Sequence, residues 1–211
     1  MAKQPALSYL ALGDSYTIGE AVEQHDSFPY QLVKLLNEEG LHFKEPEVIA
    51  QTGWTTDELM YAIEKRNLSQ TFDLVTLLIG VNNQYRGYTT VNYQKEFATL
   101  LATACNFAAA DKKRVFVISI PDWGVTDFGK QSGRDVQQIA NEIDSFNRIK
   151  EEVTRLNGVT YIDITPISRK APTDFHLTAS DGLHPSAKMY TEWVKEIMPI
   201  VKANLNNGNQ V

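Results

Sequence analysis

Leu74-Val75-Thr76-Leu77-Leu78-Ile79 is apolar almost throughout, with no alternation of polar and apolar residues. A strand with one wet face alternates; a parallel strand covered by helices on both faces does not. Val115-Phe116-Val117-Ile118-Ser119-Ile120 reads the same way. The full runs predict strands over Phe72–Ile79 and Arg114–Ile120. Leu7–Leu12, Glu47–Ala50 and Val159–Ile164 read as further strands.

The segments between them carry helical spacing. Asp26/Ser27 can cap a helix to about Glu39, ended by Gly40. Thr55-x-x-Glu58 is a capping box that opens the next. Tyr93, Phe97, Leu100, Leu101, Ala104 and Ala108 form one apolar stripe. Val136, Ile139, Ile143, Phe146, Ile149 and Val153 form a second. Pro185 is expected at the first position of a last helix carrying Ala187, Tyr190, Val194, Ile197, Val201 and Leu205. The order is therefore βαβαβαβαβα. Right-handed crossovers then predict a three-layer α/β/α sandwich around a mostly parallel five-stranded sheet, flavodoxin-like in arrangement. With no linker in sight, residues 1–211 read as one domain, with 206–211 a flexible tail.

Composition narrows the function classes. The chain has 211 residues, 43% hydrophobic and 22% charged, as soluble globular proteins do. No apolar run approaches the length of a membrane span. Twenty Lys+Arg against 26 Asp+Glu leave a net charge of -6, which gives no global attraction to nucleic acid. The single cysteine, Cys105, cannot form an internal disulfide and is expected to be a small buried apolar residue. The start, Met1-Ala2-Lys3-Gln4-Pro5, lacks the apolar core and cleavage site of a signal peptide. These readings predict a cytoplasmic protein, monomeric by default.

In parallel sheets ligands bind beyond the carboxyl ends of the strands. The loops there are 13–25, 51–55, 80–91, 121–133 and 165–184. The first reads Gly13-Asp14-Ser15-Tyr16-Thr17-Ile18-Gly19. Its serine could be a nucleophile with a base nearby, or the cap of the next helix. In Gln51-Thr52-Gly53-Trp54, Gly53 could offer its N–H to a ligand and Trp54 could wall the cleft. An ordinary turn is the alternative. In Gly80-Val81-Asn82-Asn83, the Asn82 amide could donate to a developing oxyanion or close an Asx turn. In Asp181-Gly182-Leu183-His184, a carboxylate could orient an imidazole and leave its other nitrogen as a base.

Each feature alone favours the plainer reading. Together, on one rim of one sheet, they resemble the SGNH hydrolases, also called the GDSL esterase/lipase family. The resemblance spans nearly the whole chain. Gly13-Asp14-Ser15 looks like the first block, Gly53 the second, Gly80-x-Asn82 the third and Asp181-x-x-His184 the fifth. Three positions depart from the pattern. Tyr16 stands in place of the usual Leu, Asn83 in place of the usual Asp, and the Asn before the second-block Gly is replaced within Ala50-Gln51-Thr52.

The resemblance implies a Ser15–His184–Asp181 triad and an acyl-enzyme. It implies an oxyanion hole from the N–H of Ser15, the N–H of Gly53 and the Asn82 amide. It requires no metal or organic cofactor. The substrate would be a small acyl ester or thioester; lysophospholipase, thioesterase, arylesterase and carbohydrate deacetylase all fall within the family. No stable membrane insertion is expected. Trp54, Tyr85 and Trp123 are candidates for substrate contact, with Tyr88 and Phe128 near them, and Arg86 could bind an anion. Mutual packing of long loops explains these aromatics equally well. His176, eight residues before His184, does not fit a standard zinc spacing, and His25 and His42 read as surface residues. Two other functions compete: a flavodoxin-like phosphate or nucleotide binder, and an inactive binding module on the same fold. The 13–19 loop carries neither glycine-rich phosphate motif, and the nucleotide reading leaves Asp181 and His184 unused.

Overall fold

The computed structural model describes residues 5–208. Its centre is a five-stranded parallel sheet of order β2-β1-β3-β4-β5, built from β1 (Tyr9–Gly13), β2 (Glu47–Ala50), β3 (Leu74–Leu78), β4 (Val115–Ile118) and β5 (Thr160–Ile162). Every residue of β1, β3 and β4 is buried, which is why these runs show no alternation. Thr76 is the one polar residue in β3, and its hydroxyl is satisfied by Tyr9 Oη at 2.8 Å.

The helices are α1 (Ser15–Ile18), α2 (Phe28–Glu38), α3 (Thr56–Arg66), α4 (Val81–Tyr85), α5 (Thr90–Phe107), α6 (Asp127–Gln131), α7 (Val136–Leu156), α8 (Thr165–Ser168) and α9 (Ala187–Gly208). They cover both sides of the sheet: α2 packs on α9, while α5 packs on α3 and α7. The long helices bury the expected stripes. In α5, Tyr93, Phe97, Leu100, Leu101 and Ala104 are inside. In α7, Ile139, Ile143, Phe146 and Val153 are inside, but Val136 lies in the first turn and stays exposed. Each fully buried aliphatic or aromatic side chain contributes roughly 1.5–3 kcal/mol of burial free energy.

Several expectations need correction. The loops at 13–25, 80–91 and 121–133 are not irregular throughout: each opens or folds into a short helix, α1, α4 and α6. Pro185 does not start the last helix. It bridges to Thr178, and the helix begins at Ala187 with Ser186 Oγ accepting from the Met189 N–H. Residues 206–208, read as tail, belong to α9; the remainder of that tail and the residues of the leader reading up to Gln4 lie outside the described residues. Cys105 is half-buried rather than buried. Ser27 sits at the N-cap of α2, yet its hydroxyl donates to the Gln24 carbonyl instead of capping.

In this strand order the direction of winding reverses between β1 and β3. That switch point opens a crevice at the strands' carboxyl ends, and the loop carrying Ser15 leaves β1 while the loop carrying Asn82 leaves β3.

Candidate active site

β1 ends in Gly13, where the chain turns at once into α1. A Cβ on Gly13 would stand 2.0 Å from Thr17 Oγ1 and 2.4 Å from the Leu78 carbonyl, so only glycine permits this turn. Asp14, not Ser15, caps α1: its Oδ1 accepts from the Tyr16 N–H at 3.0 Å. Ser15 is therefore free of the capping role and sits 5% exposed at the first helical position. The far end of the turn is tied to α9, where Tyr190 Oη donates to the Tyr16 carbonyl at 3.0 Å.

The 181–184 turn supplies the second part. Asp181 Oδ1 accepts from the N–H of Leu183 and of His184, at 2.9 and 3.0 Å. Its Oδ2 meets His184 Nδ1 at 2.5 Å. Burial pushes the Asp181 carboxyl up, but the His184 ring and these two N–H groups outweigh it and hold it below the usual carboxylate range. His184 is 8% exposed and its ring packs edge-on against the Tyr16 ring at 5.7 Å, so the residue in the usual Leu position walls the histidine.

Ser15, Asn82 and His184 meet in a hollow of about 190 Å³. Tyr16, Val81, Tyr85, Trp123, Phe128 and Leu183 complete its lining. Two of the three candidate contact residues, Tyr85 and Trp123, therefore stand in it. Trp54 does not; it lines a shallow hollow over α3 with Asp57, Tyr61 and Lys65. The Trp54 carbonyl nevertheless reaches the site, accepting one Asn82 Nδ2 hydrogen at 2.9 Å.

Gly53 lies outside the lining, in a turn at φ +84°, a conformation that favours glycine. Its carbonyl is held by Arg86 Nη2 at 2.6 Å, and Arg86 Nη1 pairs with Glu58 Oε1 at 3.1 Å. Glu58 also closes its half of the capping box on the Thr55 N–H at 2.9 Å. Arg86, a candidate anion binder, is thus committed to fastening the 53–55 turn. Among the described residues neither the Ser15 N–H nor the Gly53 N–H has an acceptor in the protein.

Asn83 explains how this chain does without the usual Asp. The residue is fully buried; its Oδ1 accepts from the Thr56 N–H at 3.1 Å and its Nδ2 donates to Thr56 Oγ1 at 2.6 Å. The Thr56 hydroxyl in turn donates to Glu96. A carboxylate at 83 has no proton to give the Thr56 hydroxyl, whose own proton is committed to Glu96. Asn83→Asp is expected to cost about 1–3 kcal/mol of stability, read as a lower urea midpoint at pH 7; an unchanged midpoint would contradict this account.

Beneath Ser15 lies a polar pair that sequence reasoning missed. Asp14 and Lys150 are both fully buried. Asp14 Oδ2 and Thr17 Oγ1 have no partner, and Lys150 Nζ donates to the Ile118 carbonyl at 2.9 Å. Burial pushes the Asp14 carboxyl up to about 7, against the Tyr16 N–H and the Lys150 charge. Burial likewise pushes Lys150 down to about 7, against Asp14. A lysine on the inward face of a helix, between Ile143, Phe146 and Val153, was the available signal.

The remaining candidates take other places. Asp122 is buried and bound to Arg169 Nε at 2.9 Å. His25, His42 and His176 are exposed. Among the described residues no group of three or more His, Cys, Asp or Glu could hold a metal ion, and no helix is long and apolar enough to cross a membrane.

Residues 11–191 match the GDSL-like lipase/acylhydrolase family. The chain belongs to that family. As a GDSL-like acylhydrolase it is an ester-bond hydrolase. No curated protein sequence matches it significantly. Its fold is shared by solved structures of low identity. TesA superposes with a TM-score of 0.72 at 17% identity, covering 93% of this chain and 99% of that one. The lipase/acylhydrolase from Enterococcus faecalis gives 0.71 at 21%, covering 93% and 96%. Axe2, an acetylxylan esterase from Geobacillus stearothermophilus, gives 0.67 at 16%, covering 92% and 94%.

Proposed function

We propose that this GDSL-like hydrolase cleaves carboxylic esters with Ser15 as nucleophile, His184 as base and Asp181 as the group that orients it. The observation that carries the reading is the Asp181–His184 pair. The carboxylate takes Nδ1 at 2.5 Å, so that nitrogen holds the proton and Nε2 is left as an acceptor in the hollow that Ser15 shares. Ser15 Oγ and His184 Nε2 are not hydrogen-bonded here; such contacts commonly tighten only when substrate binds.

In the first step Ser15 Oγ bonds to the acyl carbon while its proton passes to His184 Nε2. The carbonyl oxygen becomes an oxyanion. The Ser15 N–H, the Gly53 N–H and the second Asn82 Nδ2 hydrogen would receive it. Collapse breaks the bond to the leaving alcohol or thiol, which takes the proton from Nε2. Water then attacks the acyl-enzyme, giving its proton to the same nitrogen, which passes it to Ser15 Oγ as the acyl–oxygen bond breaks and the acid leaves. The described residues serve one sheet and one rim, and we read them as one catalytic domain acting on a small acyl ester or thioester. The nucleotide-binding alternative would set a phosphate at the start of α1, where the Asp14 carboxyl already takes the Tyr16 N–H.

A fluorophosphonate tests the nucleophile directly. The wild type should gain one phosphonyl adduct by mass, on the peptide containing Ser15, and Ser15→Ala should gain none. Labelling of both proteins to the same extent would overturn the assignment.

A further inference from the structure

The inner wall of the hollow is held far more firmly than packing requires. Trp123 is 2% exposed, and Tyr85 and Phe128 stand against it at 5.3 and 6.0 Å between ring centroids. Those two rings are exposed to solvent at the outer edge. The Trp123 indole N–H donates to Gln84 Oε1 at 2.8 Å. Gln84, itself 2% exposed, donates through Nε2 to Glu142 Oε2 at 2.6 Å. Arg134 Nη2 meets the same oxygen at 2.6 Å, and the Arg134 guanidinium lies 5.6 Å from the Trp123 ring centroid. The circuit is closed: indole, amide, carboxylate, guanidinium and back to the indole face.

The chemistry of the circuit makes it directional. A buried indole N–H needs an acceptor. An amide whose nitrogen is tied to a carboxylate can offer only its oxygen to the indole, so the Gln84 flip state is set. Burial pushes the Glu142 carboxyl up, but Gln84, Arg134 and Gln138 outweigh it, so the anchor stays charged. Gln84, Glu142 and Arg134 lie outside the lining of the hollow, so they reach it only through the Trp123 ring. What the circuit does fix is the plane of the Trp123 ring, and with it the depth of the hollow.

We infer that Trp123 is the stop for the acyl chain, and that Gln84 is the positioning residue that holds it there. The inference rests on the serine-esterase reading above. With a methylene taken as roughly the size of one water, whose share of liquid volume is about 30 Å³, about 190 Å³ admits an acyl group of about six carbons. The substrate class is then esters of short-chain acids, acetyl to hexanoyl, and not long-chain lipids.

The test is kcat/KM for p-nitrophenyl acetate, butyrate, hexanoate, octanoate and decanoate. The wild type should fall at least tenfold between hexanoate and decanoate, since a methylene that meets a fixed wall is discriminated by about 10-fold or more. Trp123→Ala should move the maximum to octanoate or beyond. Gln84→Met removes the indole's acceptor at similar size and should raise the decanoate-to-acetate ratio at least fivefold. Trp123→Phe, a milder change, should shift the profile the same way if the alanine variant does not fold. A wild type equally fast on decanoate and butyrate overturns the inference. So does a Gln84→Met or Trp123→Phe variant that loses all five rates in proportion, which is what a purely structural role gives. Ser15→Ala run alongside separates the two readings: activity retained there overturns the esterase assignment, whereas activity lost there with unchanged chain-length profiles overturns only the chain stop. No turnover of any ester by the wild type overturns both.

Discussion

Ser15→Ala is expected to lower kcat/KM for p-nitrophenyl acetate by about 10⁴–10⁶-fold, and His184→Ala by a similar factor. The nucleophile and its base act as one unit, so the double variant should be no slower than either single one. What survives is the contribution of the oxyanion donors and binding alone, roughly 10³-fold over water. Asp181→Asn should fall between wild type and these variants. Its Oδ1 can still accept from the Leu183 and His184 N–H groups, so the turn is kept. An amide nitrogen facing Nδ1 would instead force the other tautomer and put the ring proton on Nε2, where it blocks the base. Losses of the two single variants that multiply in the double variant would contradict a shared mechanism.

The second large effect concerns stability. Asp14, with its proton affinity raised in the folded protein, contributes stability that is present below about pH 4 and lost as pH rises through about 7. Lys150, with its affinity lowered, contributes stability that is present above about pH 10 and lost as pH falls through about 7. The pair therefore makes the folded protein least favoured near neutrality and more favoured toward pH 9. Lys150→Met keeps the volume but removes the second of these terms and leaves Asp14 facing no cation. The difference between wild type and Lys150→Met should be flat from pH 5 to 7. It should then widen by about 1 kcal/mol per pH unit, to about 2–3 kcal/mol more at pH 9 than at pH 7. Urea midpoints at pH 5, 7, 8 and 9 read it. A difference that stays flat above pH 7 would mean that burial does not lower the proton affinity of Lys150 in the folded protein.

The sheet was legible because its signal is strong and local. Glu47–Ala50 was placed to the residue, and Phe72–Ile79 and Arg114–Ile120 each enclose a shorter strand. Ile79 and Ile120 continue the apolar run beyond the ladder, and hydropathy cannot register that difference. The short helices α1, α4 and α6 were missed because one turn of helix has no apolar period to read. Pro185 shows a second limit. Proline suits a first helical turn, but here it is held in a bridge to Thr178, seven residues earlier, a local pairing that hydropathy does not register. The site residues were legible as types and spacing: Ser15, Asn82, Asp181 and His184. Their convergence was not, since it depends on β1 and β3 being neighbours. Lys150 and Gln84 were harder to read: Lys150 shows only as a lysine on an apolar helix face and Gln84 sits in a single turn of helix, and only the charge of Asp14 and the indole of Trp123, both distant in sequence, give them meaning.

The bond from Tyr190 Oη to the Tyr16 carbonyl joins positions 174 apart in sequence. A ribosome delivers these positions in order, the proposed nucleophile first and the helix that steadies it much later. Ser15 emerges early, yet the turn that carries it gains its last anchor, and His184 its place, only when α9 has left the exit tunnel. Under the proposed mechanism, ester cleavage then begins only once the last helix is made and packed against this turn.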